Sequence, residues 1–100
     1  MNAHNRTLLT VICEAALEHK LEADLKTLGA PGWTLSDARG SGSRGVRSAG
    51  WETDGNIRLE VICSRDVAER IAEHLQARYY ENFAMVCYLA EVKVLRPEKF

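Results

Sequence analysis

Cysteine, proline and histidine are all scarce in this chain of 100 residues, with three, two and three copies. Cys13, Cys63 and Cys87 lie far apart and form no CxxC pair. An odd, scattered set of this kind argues against a disulfide framework and a zinc site, and each thiol sits in an apolar run, which reads as a buried core cysteine ahead of the alternative, a redox sensor. His4, His19 and His74 show no ligand spacing with one another or with a cysteine, so surface histidines are expected. Charge of one sign is also lacking. A formal net charge of -1 gives no global reason to bind nucleic acid or an anionic membrane, and any anion site must be local. No long hydrophobic run exists either: the stretch at residues 8–13 is interrupted by Thr10 and is too short for a signal or spanning helix, which points to a cytoplasmic protein.

What is present is enough apolar material for one core. With 46% hydrophobic and 27% charged residues, the chain reads as a single domain over residues 1–100. Residues 7–13 are rich in Leu, Val and Ile on both faces, as expected of a central strand covered on both sides. Leu17, Leu21, Leu25 and Leu28 then recur at helical spacing among charged residues, and Gly29 supplies a stop. Pro31 and Gly32 turn the chain into a short strand at about residues 33–39. Residues 56–63 alternate cleanly, with Ile57, Leu59, Val61 and Cys63 on one face and Arg58 and Glu60 on the other. Ser64 is placed to cap a second helix carrying Val67, Ala68, Ile71, Ala72 and Leu75 and ending near Tyr79. A last strand covers about residues 84–95, with Met85, Cys87 and Leu89 expected on the face away from the helices.

The order βαββαβ implies an α+β, ferredoxin-like domain: a four-stranded antiparallel sheet with two helices on one face. Apolar side chains left on the bare face need a cover, which predicts a homo-oligomer.

Chemistry concentrates in residues 40–55, where apolar periodicity disappears. Arg39, Arg44 and Arg47 stand among Gly40, Ser41, Gly42, Ser43, Gly45 and Ser48, with no acid before Glu52. Glycines free backbone N–H groups to face a phosphate, serines add donors, and each guanidinium offers a charge-assisted pair. The literal GxGxxG at 40–45 is not a dinucleotide fingerprint, because no helix follows to present its N-terminus. The segment has no GK[ST] either, so it is not a P-loop. Trp51, a large aromatic in this polar stretch, is read as an anchor for a protein partner.

The run Gly42-Ser-Arg-Gly-Val-Arg-Ser-Ala-Gly50 resembles the T-loop signature of PII-like signalling proteins, specifically the carboxysome-associated (CPII) and SbtB-like group. Gly32-Trp33-Thr34 is similar to that group's Gly-aromatic-Thr, and Tyr79-Tyr-Glu-Asn-Phe83-Ala84 to its segment before the last strand. The resemblance implies a cytoplasmic homotrimer, free to sit at the inner membrane through a transporter, that binds adenine nucleotides (AMP, ADP, ATP or cyclic AMP) in clefts between subunits. It also implies bicarbonate as an effector, no prosthetic group, and regulation of a bicarbonate transporter through the T-loop at about 40–55. Carried onto this chain, Arg44 and Arg47 hold phosphate with Gly42, Ser43 and Ser48. Gly32, Trp33, Thr34, Ile62 and Cys63 line the adenine side, and Phe83, Ala84 and Met85 complete the cleft from the neighbouring subunit. The Gly-rich, lysine-bearing B-loop of nitrogen-regulating PII proteins is replaced by Tyr80-Glu-Asn-Phe83.

Two other readings share the strand order. An acylphosphatase-type enzyme needs an arginine-bearing loop after the first strand, where this chain has Cys13-Glu-Ala-Ala16, and no nucleophile–base pair appears; slow nucleotide hydrolysis is the remaining enzymatic alternative. An RNA-recognition module needs aromatics on its central strands, and residues 57–61 have none. The sequence therefore reads as a regulator and not as an enzyme or a nucleic-acid binder.

Overall fold

The computed structural model describes residues 3–40 and 55–100. The chain forms β1 (His4–Glu14), a 3-10 turn (Ala15–Leu17), α1 (Glu18–Leu28), β2 (Thr34–Ala38), β3 (Asn56–Cys63), α2 (Arg65–Arg78), β4 (Val86–Val94) and a terminal 3-10 turn (Pro97–Lys99). The strands make one antiparallel sheet in the order β2-β3-β1-β4. This is the ferredoxin-like βαββαβ arrangement expected above.

Alternation along β1 and β3 creates the core. Leu9, Val11 and Cys13 pair with Val61, Leu59 and Ile57, and all six are at most 1% exposed beneath the helices. Against this layer pack Leu17, Leu21 and Leu25 from the first helical segment and Ala68, Ile71 and Leu75 from α2. The helix ends are fixed locally. Gly29 adopts φ 95°, a left-handed cap few other residues accept, and its N–H donates to Leu25 and Lys26. Arg70 of α2 donates to the freed Leu28 carbonyl at 3.0 Å, tying the two helices. Ser64 Oγ accepts from the Val67 N–H at 3.3 Å, the N-cap its sequence position predicts.

Three expectations are corrected. Met85, Cys87 and Leu89 do not lie on the bare face. Register puts Cys87 opposite Val11 and Leu89 opposite Leu9, on the helix side, and Met85 is buried in the core. The bare face instead carries Val86, Tyr88, Ala90 and Val92, in rows with Ile12, Thr10, Leu8 and Arg6. The wholly apolar side of β4, Val86 to Val94, is the bare one, while the helix side ends in Glu91 and Lys93, so alternation alone turns the strand the wrong way and pairing with β1 decides it. Second, β1 is interior in the sheet, but helices cover only one of its faces, and Leu8 and Ile12 are half-buried. Third, His74 is not a free surface side chain, because its Nε2 lies 3.2 Å from Asp24 Oδ2.

Candidate nucleotide-binding surface

The sheet has two ends, and the candidate residues divide between them. At the end formed by the starts of β1 and β2 and the finish of β3 lie Gly32, Trp33, Thr34, Ile62 and Cys63. Thr34 pairs with Glu60, and continuing that register sets Trp33 and Gly32 alongside Val61 and Ile62. Gly32 and Thr34 are exposed, and a side chain added at Gly32 would meet nothing within 4 Å. Trp33 is packed against the core, with Nε1 donating to Glu22 Oε2 at 3.1 Å, so its indole belongs to α1. Ile62 is half-buried on the bare face. Cys63 is 1% exposed, its thiol among core residues, which leaves its backbone to line any cleft. Burial also raises the Cys63 thiol above its ordinary range.

At the opposite end, β2 finishes at Ala38 and β3 begins at Asn56, directly across from each other. Gly55 takes φ 74°, and its carbonyl accepts from the Ala15 N–H at 3.0 Å. The segment before β4 lies at this same end, since Val86 pairs with Ile12 near the finish of β1. Within it, Phe83 is half-buried with its N–H donating to the Tyr79 carbonyl at 2.9 Å, Ala84 is half-buried, and Met85 is 5% exposed. The predicted phosphate-holding residues Gly42, Ser43, Arg44, Arg47 and Ser48, and the predicted anchor Trp51, lie outside the described residues.

The two groups are separated by the length of β3, eight residues, or about 25 Å at strand rise. One chain therefore does not gather Gly32–Thr34 and Phe83–Met85 around a single small ligand. Joining them requires two chains side by side, each presenting the opposite end of its sheet.

Sequence reasoning missed one cluster. Tyr79, 1% exposed at the end of α2, donates its hydroxyl to Asp24 of α1, and His74 approaches the same carboxylate oxygen. Burial and the Asp24 carboxylate push the Tyr79 phenol far above its ordinary range. A separation of 55 residues between Asp24 and Tyr79 leaves no spacing signal to find. Glu18, His19 and Glu22 also bring one donor atom each within 4.8 Å of one another, but His19 points to solvent and Glu22 already accepts from Trp33, so the group is not built as a metal centre.

The profile of the nitrogen regulatory protein P-II family matches residues 6–99. This chain belongs to the P-II family. Among solved P-II-like structures, a PII-like signalling protein of Thermus thermophilus is 45% identical, with 100% of this chain and 99% of that one covered and a TM-score of 0.84. The CPII protein of Thiomonas intermedia, solved with ADP and bicarbonate, is 23% identical, covering 99% of this chain and 97% of its own, with a TM-score of 0.85. A second structure of that CPII, with ADP, AMP and bicarbonate, gives 23% identity, coverage of 99% and 96%, and a TM-score of 0.84. At that identity the CPII likeness establishes a shared P-II fold.

Proposed function

We propose that this P-II family chain is a homotrimeric regulatory protein that binds adenine nucleotides between subunits. ADP and AMP are the leading ligands, with ATP and cyclic AMP in the same class and bicarbonate as a co-effector. The observation that carries this reading is the split of the candidate residues between the two ends of β3. It suits a cleft built from two copies, with Gly32, Thr34, Ile62 and the Cys63 backbone on one side and Phe83, Ala84 and Met85 on the other. Arg44 and Arg47, with Gly42, Ser43 and Ser48, supply the phosphate-holding charge from the segment between Ala38 and Asn56. The fold shared with CPII, solved with ADP, AMP and bicarbonate, supports the choice of ligands.

The bare sheet face supports self-association. Val86 and Tyr88 are 44% and 48% exposed there, large apolar groups with no helix to cover them. Thr10, at the middle of that face between Glu60 and Tyr88, is fully buried, and its hydroxyl finds no partner among the described residues. An unmade buried hydrogen bond costs about 1–3 kcal/mol, and because Thr10 is already sealed by its own chain, the case for self-association rests on the exposed Val86 and Tyr88.

The functional output on this reading is control of bicarbonate uptake by a transporter. The segment at 40–55, with Trp51 as its anchor, docks on that transporter in one nucleotide state and not in the other. The protein itself acts in the cytoplasm, and no helix among the described residues is long and apolar enough to cross a membrane. A regulatory reading is favoured over a catalytic one by the character of the described nucleophiles. Burial holds the Cys63 and Cys87 thiols protonated, and the Tyr79 hydroxyl is committed to Asp24.

Two measurements test this together. Titration calorimetry with AMP, ADP, ATP and cyclic AMP, each with and without bicarbonate, should give saturable binding of ADP in the micromolar range. Sedimentation should give three times the 11.2 kDa chain mass. Absence of heat with every nucleotide would sink the ligand reading, and a monomer would sink the assembly.

A further inference from the structure

The turn that leads from α2 into β4 contains no glycine or proline: residues 80–85 read Tyr-Glu-Asn-Phe-Ala-Met. It thus lacks the residues that preset a turn through their own backbone preferences, Asn82 excepted. Two of its backbone hydrogen bonds converge on one residue. The Tyr79 carbonyl accepts from both the Asn82 N–H at 3.1 Å and the Phe83 N–H at 2.9 Å, and the Tyr79 ring lies 6.0 Å from that of Phe83, centre to centre.

Tyr79 is in turn held from outside the turn. Its hydroxyl donates to Asp24, in the middle of α1, and the Lys20 ammonium sits 5.5 Å from the ring centre. His74, on the preceding stretch of α2, approaches the same Asp24 oxygen at 3.2 Å and meets the Tyr79 ring edge-on at 6.4 Å. A phenylalanine would fill this volume equally well. The hydroxyl adds a directional tether, since a buried donor must find its acceptor. Leu21 and Leu25, on either side of Asp24, root α1 in the core, so the acceptor is fixed.

We propose that Tyr79 is a positioning residue for nucleotide binding: tethered through its hydroxyl to Asp24, it holds the backbone of residues 82–85 in the conformation that receives the ligand. This rests on the reading above that Phe83–Met85 form one wall of the cleft. Tyr79 itself touches no ligand. Its effect is preorganisation, because a wall already in its bound shape loses less conformational freedom when the nucleotide arrives.

The test compares the full-length protein with Tyr79→Phe, which keeps the ring, Asp24→Ala, and the double variant. Amide hydrogen exchange at Asn82 and Phe83 is followed by NMR, and ADP affinity is measured well below the melting temperature. Each single change should speed exchange at both amides and weaken ADP by about five-fold, the worth of one hydrogen bond, and the double variant should be no weaker than either single one. Wild-type exchange in both single variants would overturn the proposal. So would faster exchange with unchanged ADP affinity, which would make the tether purely structural. If the unaltered protein bound no adenine nucleotide, the cleft reading would fail and the ligand role with it. The exchange rates would still decide whether the Tyr79 tether shapes the turn.

Discussion

The N–H of Ala15 donates to the carbonyl of Gly55 at 3.0 Å, pinning the root of the segment that enters β3 to the exit of β1. Gly55 makes this contact with φ 74°, a conformation that L side chains enter at a cost. A Cβ there would meet nothing within 4 Å, so the penalty is conformational and not steric. Gly55→Ala should therefore lower stability by about 1–2 kcal/mol in urea denaturation. Gly55→Asn should cost less, because asparagine tolerates the left-handed region. An unaltered midpoint for the alanine variant would refute the strain.

The arginines at 44 and 47 are expected to carry the phosphate. Each charge-assisted bond is worth about 1.5–3 kcal/mol, so Arg44→Ala or Arg47→Ala should weaken ADP by about 10- to 150-fold. Calorimetry on each variant checks this, with circular dichroism to confirm the fold. Retained ADP affinity in both would remove these side chains from the site.

Tyr88 stands at the middle of the bare face, opposite Thr10 and in the same cross-strand row as Glu60. If the bare face is where copies meet, as proposed, Tyr88→Glu would bury a carboxylate there at a cost of several kcal/mol per subunit and set it near Glu60. The expected product is a folded monomer by sedimentation. Leu95→Glu is a suitable control, because Leu95 is 63% exposed and lies beyond the end of β4. Trimers in the Tyr88 variant would show that copies meet elsewhere.

Alkaline stability follows from the buried thiols. Burial raises Cys87 from 9.0 to about 11, and Cys63 moves in the same direction. Between those two values the unfolded chain releases the Cys87 proton while the folded chain retains it. The unfolded state then binds fewer protons, and stability must fall as pH rises from about 9 to about 11. Below 9 this contribution is intact. Denaturation midpoints across this window should decline, and Cys87→Ala should decline less steeply. Identical slopes in the two proteins would contradict the assignment to Cys87.

Elements whose two faces differ in polarity were the ones legible from sequence. β3 matches residue for residue, because Arg58 and Glu60 interrupt an otherwise apolar strand and mark its outer side; there they form an ion pair at 2.8 Å. α2 was legible through its Ser64 cap and stripe. β4 was placed in the chain but turned over, since its more apolar side is the bare one and its charged residues Glu91 and Lys93 lie on the helix side, so only its register with β1 orients it. The family was legible in the glycine and arginine pattern of 40–50, and the division of the domain into sheet and helices in the periodicity on either side of it. Side-chain destinations were not. Trp33 and Cys63 were assigned to a cleft, yet the indole bonds to Glu22 and the thiol lies in the core, outcomes set by packing across elements. The Asp24–Tyr79–His74 cluster is of the same kind.

The rims of the sheet are formed by β2 and β4. β2 is five residues long and includes Asp37, and β4 bears Glu91 and Lys93 along its exposed run. Short or charged borders discourage another sheet from adding on laterally. Among the described residues, the exposed Val86 and Tyr88 then leave the bare face as the surface suited to receive another copy. An assembly of the proposed kind, built on that face, would close at a small number of chains without lateral strand addition at either rim.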